Sequence, residues 1–132
     1  MGKIRHIAYR AKDVEGMADF FVKALGMTMT QRRRNNAIDL SDGTINITVL
    51  PMSVSGPNGG VARQGIDHIG FSAEDDESAA RLLETAGAKK VGTIPLGSAA
   101  HYEMKFIGPE GIVIDVGNWI GAAPLGEKKN VE

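Results

Sequence analysis

The 132-residue sequence contains no cysteine, so disulfides, thiolate nucleophiles and cysteine-ligated metals are excluded. Aromatic residues are scarce, at 5%, which argues against a ligand cleft built from stacked rings. Neither sign of charge dominates. Fifteen Lys and Arg face sixteen Asp and Glu, for a net charge of −1, so the chain as a whole has no electrostatic pull on nucleic acid or anionic membranes. No apolar run is long enough to span a bilayer, and the first residues enter a strand-like pattern instead of an apolar leader. Neither a phosphate-binding loop nor a dinucleotide fingerprint is present. These absences lead us to expect a cytoplasmic protein with no nucleic-acid or membrane partner.

What the chain does have is an apolar content of 42%, enough to build the core of one domain of this size. It also repeats itself. Ile4-Arg5-His6-Ile7-Ala8-Tyr9-Arg10-Ala11-Lys12-Asp13 superimposes on Ile66-Asp67-His68-Ile69-Gly70-Phe71-Ser72-Ala73-Glu74-Asp75 at an offset of 62. Two isoleucines, the histidine, an aromatic, alanine and aspartate coincide. The match continues through Glu15 with Glu77, Ala18 with Ala80, and Phe20-Phe21 with Leu82-Leu83.

Each half reads as the same unit. In the first, alternation over 3–11 predicts a strand. Met17, Phe20, Phe21, Ala24 and Leu25 then predict an amphipathic helix over 14–25, capped by Asp13 and stopped by Gly26. Strands at about 27–33, 36–40 and 44–50 follow, with Asp42-Gly43 as the last turn. The second half gives a strand at 65–73 and a helix at 76–86 that buries Ala79, Leu82, Leu83 and Ala86. Its remaining strands fall at 89–94, 100–107 and 111–116. The expected architecture is α+β, with two repeated βαβββ modules at about 3–51 and 65–118. The Gly/Pro-rich stretch 52–64 links them, and 119–132 is a tail.

Such a duplication, with a histidine on the first strand of each half, resembles the vicinal oxygen chelate superfamily. Glyoxalases, methylmalonyl-CoA epimerases, extradiol dioxygenases and bleomycin resistance proteins belong to it. The likeness is carried by Ile4-Arg5-His6-Ile7 leading into Asp19-Phe20-Phe21-Val22-Lys23-Ala24-Leu25-Gly26-Met27, by Gly65-Ile66-Asp67-His68-Ile69-Gly70-Phe71, and by Gly108-Pro109-Glu110-Gly111-Ile112-Val113-Ile114-Asp115-Val116. The resemblance implies that the two modules form a curved mixed sheet around a metal-binding cleft, with a divalent metal held by His6, His68 and Asp115. It departs from the family's pattern in two places. Asp115 stands where glutamate is usual, and the first half offers only Asn46 or Thr48 where several members place a fourth ligand.

Strand parity supports the same three residues independently. Ile7 and Tyr9 lie on the face opposite His6, Ile69 and Phe71 opposite His68, and Ile112, Ile114 and Val116 opposite Asp115. If the apolar faces pack on helices, the three candidate ligands point together into the concave side. Two neutral imidazoles and a carboxylate suit Fe(II) or Mn(II) best, with Zn(II), Ni(II) and Co(II) as alternatives.

Other residues qualify by position. His101 and Tyr102 open a strand beside the expected cleft, and one of them is a candidate general acid or base. Here Tyr102, Met104 and Phe106 form one face, and His101, Glu103 and Lys105 the other. Arg10, Asn46, Thr48 and Trp119 are candidate substrate contacts. Arg32-Arg33-Arg34 reads as a solvated charge run. The favoured function is an extradiol-type dioxygenase acting on a small oxygen-chelating substrate. A glyoxalase- or epimerase-like lyase or isomerase and a non-catalytic antibiotic-binding protein are the alternatives. Exposed sheet edges lead us to expect a homodimer.

Overall fold

The computed structural model describes residues 2–54, 63–94 and 100–119, with the backbone alone at 94, 100–102, 118 and 119. The element order is β1 (Lys3–Ala11), α1 (Val14–Leu25), β2 (Thr28–Arg32), β3 (Ile38–Ser41), β4 (Asn46–Pro51), β5 (Gly65–Ser72), α2 (Asp76–Thr85), β6 (Lys89–Ile94), β7 (Ala100–Ile107), a short 3-10 turn (Pro109–Gly111) and β8 (Val113–Trp119). The chain therefore contains two βαβββ units in a mixed α+β fold, as the repeat predicts. β1, α1, β6 and β7 have the expected ends, and the other elements differ by one to three residues, most at β8, which starts after the 3-10 turn.

One eight-stranded sheet runs β2-β3-β4-β1-β5-β8-β7-β6. In each half the first strand pairs in parallel with the last, β1 with β4 and β5 with β8. The halves join where β1 meets β5 antiparallel. The pairs Lys3↔Ser72 and Arg10↔Gly65, Ile4↔Phe71 and Tyr9↔Ile66, and His6↔Gly70 and Ala8↔His68 exchange under the 62-residue offset, around Ile7↔Ile69 at the centre. The sequence repeat is thus a pseudo-twofold axis through that central pair.

The ladder breaks twice, between Ile4 and His6 and between Ala8 and Tyr9. These shifts leave Arg5 and Asp67 as extra residues, which are themselves repeat equivalents. A bulge bends the strand and re-aims its side chains. Ile4 and Ile66 pair opposite Phe71 and Tyr9, while His6 and His68 pair opposite Gly70 and Ala8.

Both helices pack on one face of the sheet. α1 packs Met17, Ala18, Phe21 and Val22 against Ala11, Met27, Ile38, Leu40 and Val49, with Tyr9 of β1 alongside. The side chain of Asp13 accepts from Gly16 N–H at its start, and left-handed Gly26 returns its N–H to Phe21 and Val22 at its end. A β-carbon on Gly16 would stand 2.2 Å from Asp13 Oδ2, so a larger residue there would have to shift the capping carboxylate. α2 lies more loosely over Met104, Phe106 and Val116 through Ala79, Ala80 and Leu83. Leu82, expected to be buried, is 71% exposed on the rim of an apolar groove of about 280 Å³ with Phe71 and Ile114 on its wall. Phe20 and Leu25 are likewise exposed, because the buried stripe of α1 runs through 14, 17, 18, 21 and 22. Among the described residues no helix is long and apolar enough to cross a membrane.

Candidate metal centre

The other face of the sheet carries polar groups that are almost wholly buried: His6, Arg10, Asp39, Ser41, Thr48, Glu103 and Asp115. A buried polar set needs partners, and the partners define the site.

His6, His68 and Asp115 converge. Each offers one ligand atom, and these atoms lie within 4.8 Å of one another. Around one first-row ion, ligand atoms stand roughly 3 to 4 Å apart, so the set is slightly wider than a closed shell. His68 Nε2 is 3.3 Å from Asp115 Oδ2, and the two imidazoles meet edge to face at 5.3 Å.

Each of the three is oriented by something specific. His68 Nδ1 lies 2.7 Å from Asp67 Oδ2. With the Nδ1 proton donated to that carboxylate, the Nε2 lone pair faces Asp115, which is the arrangement of a carboxylate-supported metal histidine. Asp67 can do this because the β5 bulge re-aims it; strict alternation would have turned it away. Burial pushes the Asp67 carboxyl up, but bonds from His68 and from Arg10 Nε, at 2.7 Å, outweigh this and hold it at about 2. His6 sits over Gly70. A β-carbon on Gly70 would stand 2.0 Å from His6 Cε1, so only glycine leaves room for the ring. Burial, reinforced by neighbouring His68, lowers the His6 pKa to about 3, which keeps it a neutral imidazole at ordinary pH. Asp115 is fully buried, and Lys105 Nζ holds its two oxygens at 2.7 and 2.8 Å.

The other expected contacts divide. Arg10 has the inward parity expected of it, but its guanidinium is engaged by Asp67 and by the carbonyls of Pro51 and Val54. It ties Asp67 to Pro51 and Val54, so its charge is already engaged within the protein. The register also separates Asn46 from Thr48. Gly70 pairs with Asp115, and its repeat equivalent Ala8 pairs with Thr48, so Thr48 is the counterpart of Asp115. Its hydroxyl donates to Asp39 Oδ1 at 2.7 Å. Asn46 pairs with His6, and its buried Oδ1 has no hydrogen-bond partner among the described residues. The side chains of His101, Tyr102 and Trp119 lie outside the described residues; a register shift between Ala100 and Glu103 falls on the first two.

Three groups were not singled out from the sequence. Glu103 lies with Oε1 3.8 Å from His6 Nε2, and burial together with the Asp115 charge raises its pKa to about 8. Lys105 neutralises Asp115. Arg33 is not a solvated charge, because its Nε reaches Asp39 Oδ2 at 2.8 Å and balances that buried carboxylate. The signal for the first two was present: once Met104 and Phe106 are taken as core, Glu103 and Lys105 must face the cleft.

These residues fit a divalent cation. The His6 ring is neutral, His68 has one nitrogen anchored and the other directed inward, and Asp115 is a carboxylate.

Comparisons with known proteins agree with this architecture. No curated protein sequence matches the chain. Among solved structures it is similar to the 2,3-dioxygenase LapB from Pseudomonas sp. KL28, with a TM-score of 0.72 at 18% identity, over 98% of this chain and 45% of that one. The chain thus spans less than half the length of that enzyme. It is also similar to methylmalonyl-CoA epimerase from Mycobacterium tuberculosis, with a TM-score of 0.69 at 15% identity, over 89% of this chain and 87% of that one. At these identities the likeness establishes fold alone. The sequence family described as Glyoxalase/Bleomycin resistance protein/Dioxygenase superfamily matches residues 3–116, and the chain belongs to that superfamily.

Proposed function

We propose that the chain is a divalent-metal-dependent enzyme of the extradiol-dioxygenase type, with His6, His68 and Asp115 holding Fe(II) or Mn(II). The observation that carries this reading is the convergence of two imidazoles and one carboxylate within 4.8 Å. Two histidines and one carboxylate are the ligand set of non-haem iron oxygenases and leave positions open for substrate. When bound, the cation supplies Lewis-acid stabilisation of anionic substrate oxygens and, as iron, a redox partner for dioxygen.

The chain's own residues do the rest. Asp67 fixes the tautomer and ring plane of His68. Gly70 leaves space for His6. The Glu103 carboxyl, buried beside His6, is placed to exchange a proton with a substrate hydroxyl, donating when protonated and accepting only once ionised, and His101 and Tyr102 on the same strand remain candidates for that role. Asn46 offers a buried amide oxygen to a substrate donor. The sheet ends at β2 and β6, and we propose that a second copy of the chain covers an edge to form a homodimer. A cytoplasmic location is consistent with the absence of cysteine.

The test is oxygen uptake by the Fe(II)-loaded protein against a panel of catechols. Uptake with ring cleavage supports the reading, and no uptake across the panel counts against it. Glu103 also favours a second reading, a lyase or isomerase that moves a proton α to a carbonyl, since it adds a carboxyl that the first half lacks at Thr48. Solvent deuterium exchange into a 2-oxo or thioester substrate without oxygen would single out that chemistry.

A further inference from the structure

Among the described residues, Lys105 is the one lysine or arginine bonded directly to His6, His68 or Asp115. Its side chain is 14% exposed, and it contacts both oxygens of a carboxylate that is 0% exposed. Two other carboxylates near the cleft have different partners, while buried Glu103 lies beside Asp115 and shares the field of the same ammonium. Asp39 is balanced by Arg33, and Asp67 by Arg10. Asp115 therefore depends on Lys105 for its compensating charge.

We propose that Lys105 is an exchangeable counter-ion: in the metal-free protein its ammonium neutralises Asp115, and a divalent cation on that carboxylate releases it to receive an anionic oxygen of the substrate. The proposal rests on the metal centre proposed above. The physical argument is charge balance. A buried carboxylate without a counter-charge is strongly destabilising. A lysine and a divalent cation on the same carboxylate repel one another, and that repulsion is weakly screened in a buried site. Asp115, Lys105 and a divalent ion sum to a net charge of about +2, or +1 with an ionised Glu103 beside them, and an anionic vicinal dioxygen ligand such as a catecholate would offset that excess. Lysine suits this role because its ammonium sits on a flexible four-carbon stem and can move from one oxygen to another.

The experiment compares wild type with K105M and K105R. It measures the thermal unfolding of chelator-treated protein and the affinity for Mn(II) by calorimetry. K105M is expected to unfold at lower temperature without metal and yet bind Mn(II) about tenfold tighter or more. K105R, which keeps the charge, should match wild type in Mn(II) affinity. A merely structural lysine would lower both quantities together in K105M. If K105M does not fold, K105Q repeats the test. If wild type binds Mn(II) and the neutral variant binds it equally or less tightly, the counter-ion role is overturned while the three-ligand centre stands. If neither binds, the centre itself fails and this proposal with it. If only the neutral variant binds, the ammonium blocks the ion instead of yielding to it, and the exchange is overturned. For the second step, Mn(II)-loaded protein is titrated with 4-nitrocatechol and followed by absorbance. Weaker binding by the neutral variant supports transfer of the ammonium to substrate, and equal binding overturns that step.

Discussion

Gly70 faces His6 across the β1–β5 ladder, and the His6 ring occupies the space that a side chain at position 70 would need. The symmetric pair is Ala8 opposite His68. Each histidine of the proposed centre therefore lies across from a small residue of the other half. Gly70→Ala would put a β-carbon about 2 Å from the imidazole, so the ring must leave its position. We expect a loss of about 1–3 kcal/mol from overpacking, together with a loss of Mn(II) affinity. Chemical denaturation and calorimetry measure the two. A Gly70→Ala protein that binds metal like wild type would show that His6 does not need its observed place.

Asp67 links Arg10 to His68 through its two oxygens. Asp67→Asn keeps the size but removes the charge that both partners use. We expect a 10- to 100-fold loss of metal affinity from disturbing the carboxylate–histidine support, with the fold retained by circular dichroism. Unchanged affinity would mean that His68 is held by its strand alone.

The core prediction concerns α2. Phe106 is fully buried, and Leu83 and Ala79 of that helix pack around its cluster. Phe106→Ala should cost about 3–5 kcal/mol, read as a shift in the denaturation midpoint. A cost below about 1 kcal/mol would place the anchor of α2 elsewhere.

Acid should release α2 at its first turn. The Asp75 side chain accepts from Ser78 Oγ and Glu77 N–H, and these bonds hold its carboxyl below the ordinary value of 3.8. A carboxyl whose folded pKa is depressed contributes stability above its unfolded pKa and loses it as pH falls through the folded one. Hydrogen exchange at the start of α2 should therefore accelerate below about pH 3.8. In Asp75→Asn, which keeps an acceptor but not the charge, that acid-dependent step should be absent.

The repeat, both modules and the three converging residues were legible in the sequence because a duplicated strand carries its parity with it. Ile7, Tyr9, Ile69 and Phe71 mark the helix-packed face, and His6 and His68 follow as its opposite. The supporting groups were less legible, for local physical reasons. Asp67 has the wrong parity in a regular strand, and it joins His68 only because a bulge adds a residue at that point. Arg33 belongs to a charge run whose neighbour Arg32 does go to the surface, where it pairs with exposed Glu15, so composition could not separate the two. Leu82 fits the helical period of α2, yet that helix lies too loosely on the sheet to bury it. The choice between Asn46 and Thr48 needed the β1–β4 register, which a sequence does not carry.

The most direct test of the account is calorimetric titration of chelator-treated protein with Mn(II) or Fe(II), run beside His6→Ala, His68→Ala and Asp115→Ala. The account predicts one ion bound per chain by the wild type and loss of that binding in each of the three variants. Absence of binding in the wild type, or binding that survives all three substitutions, would contradict it.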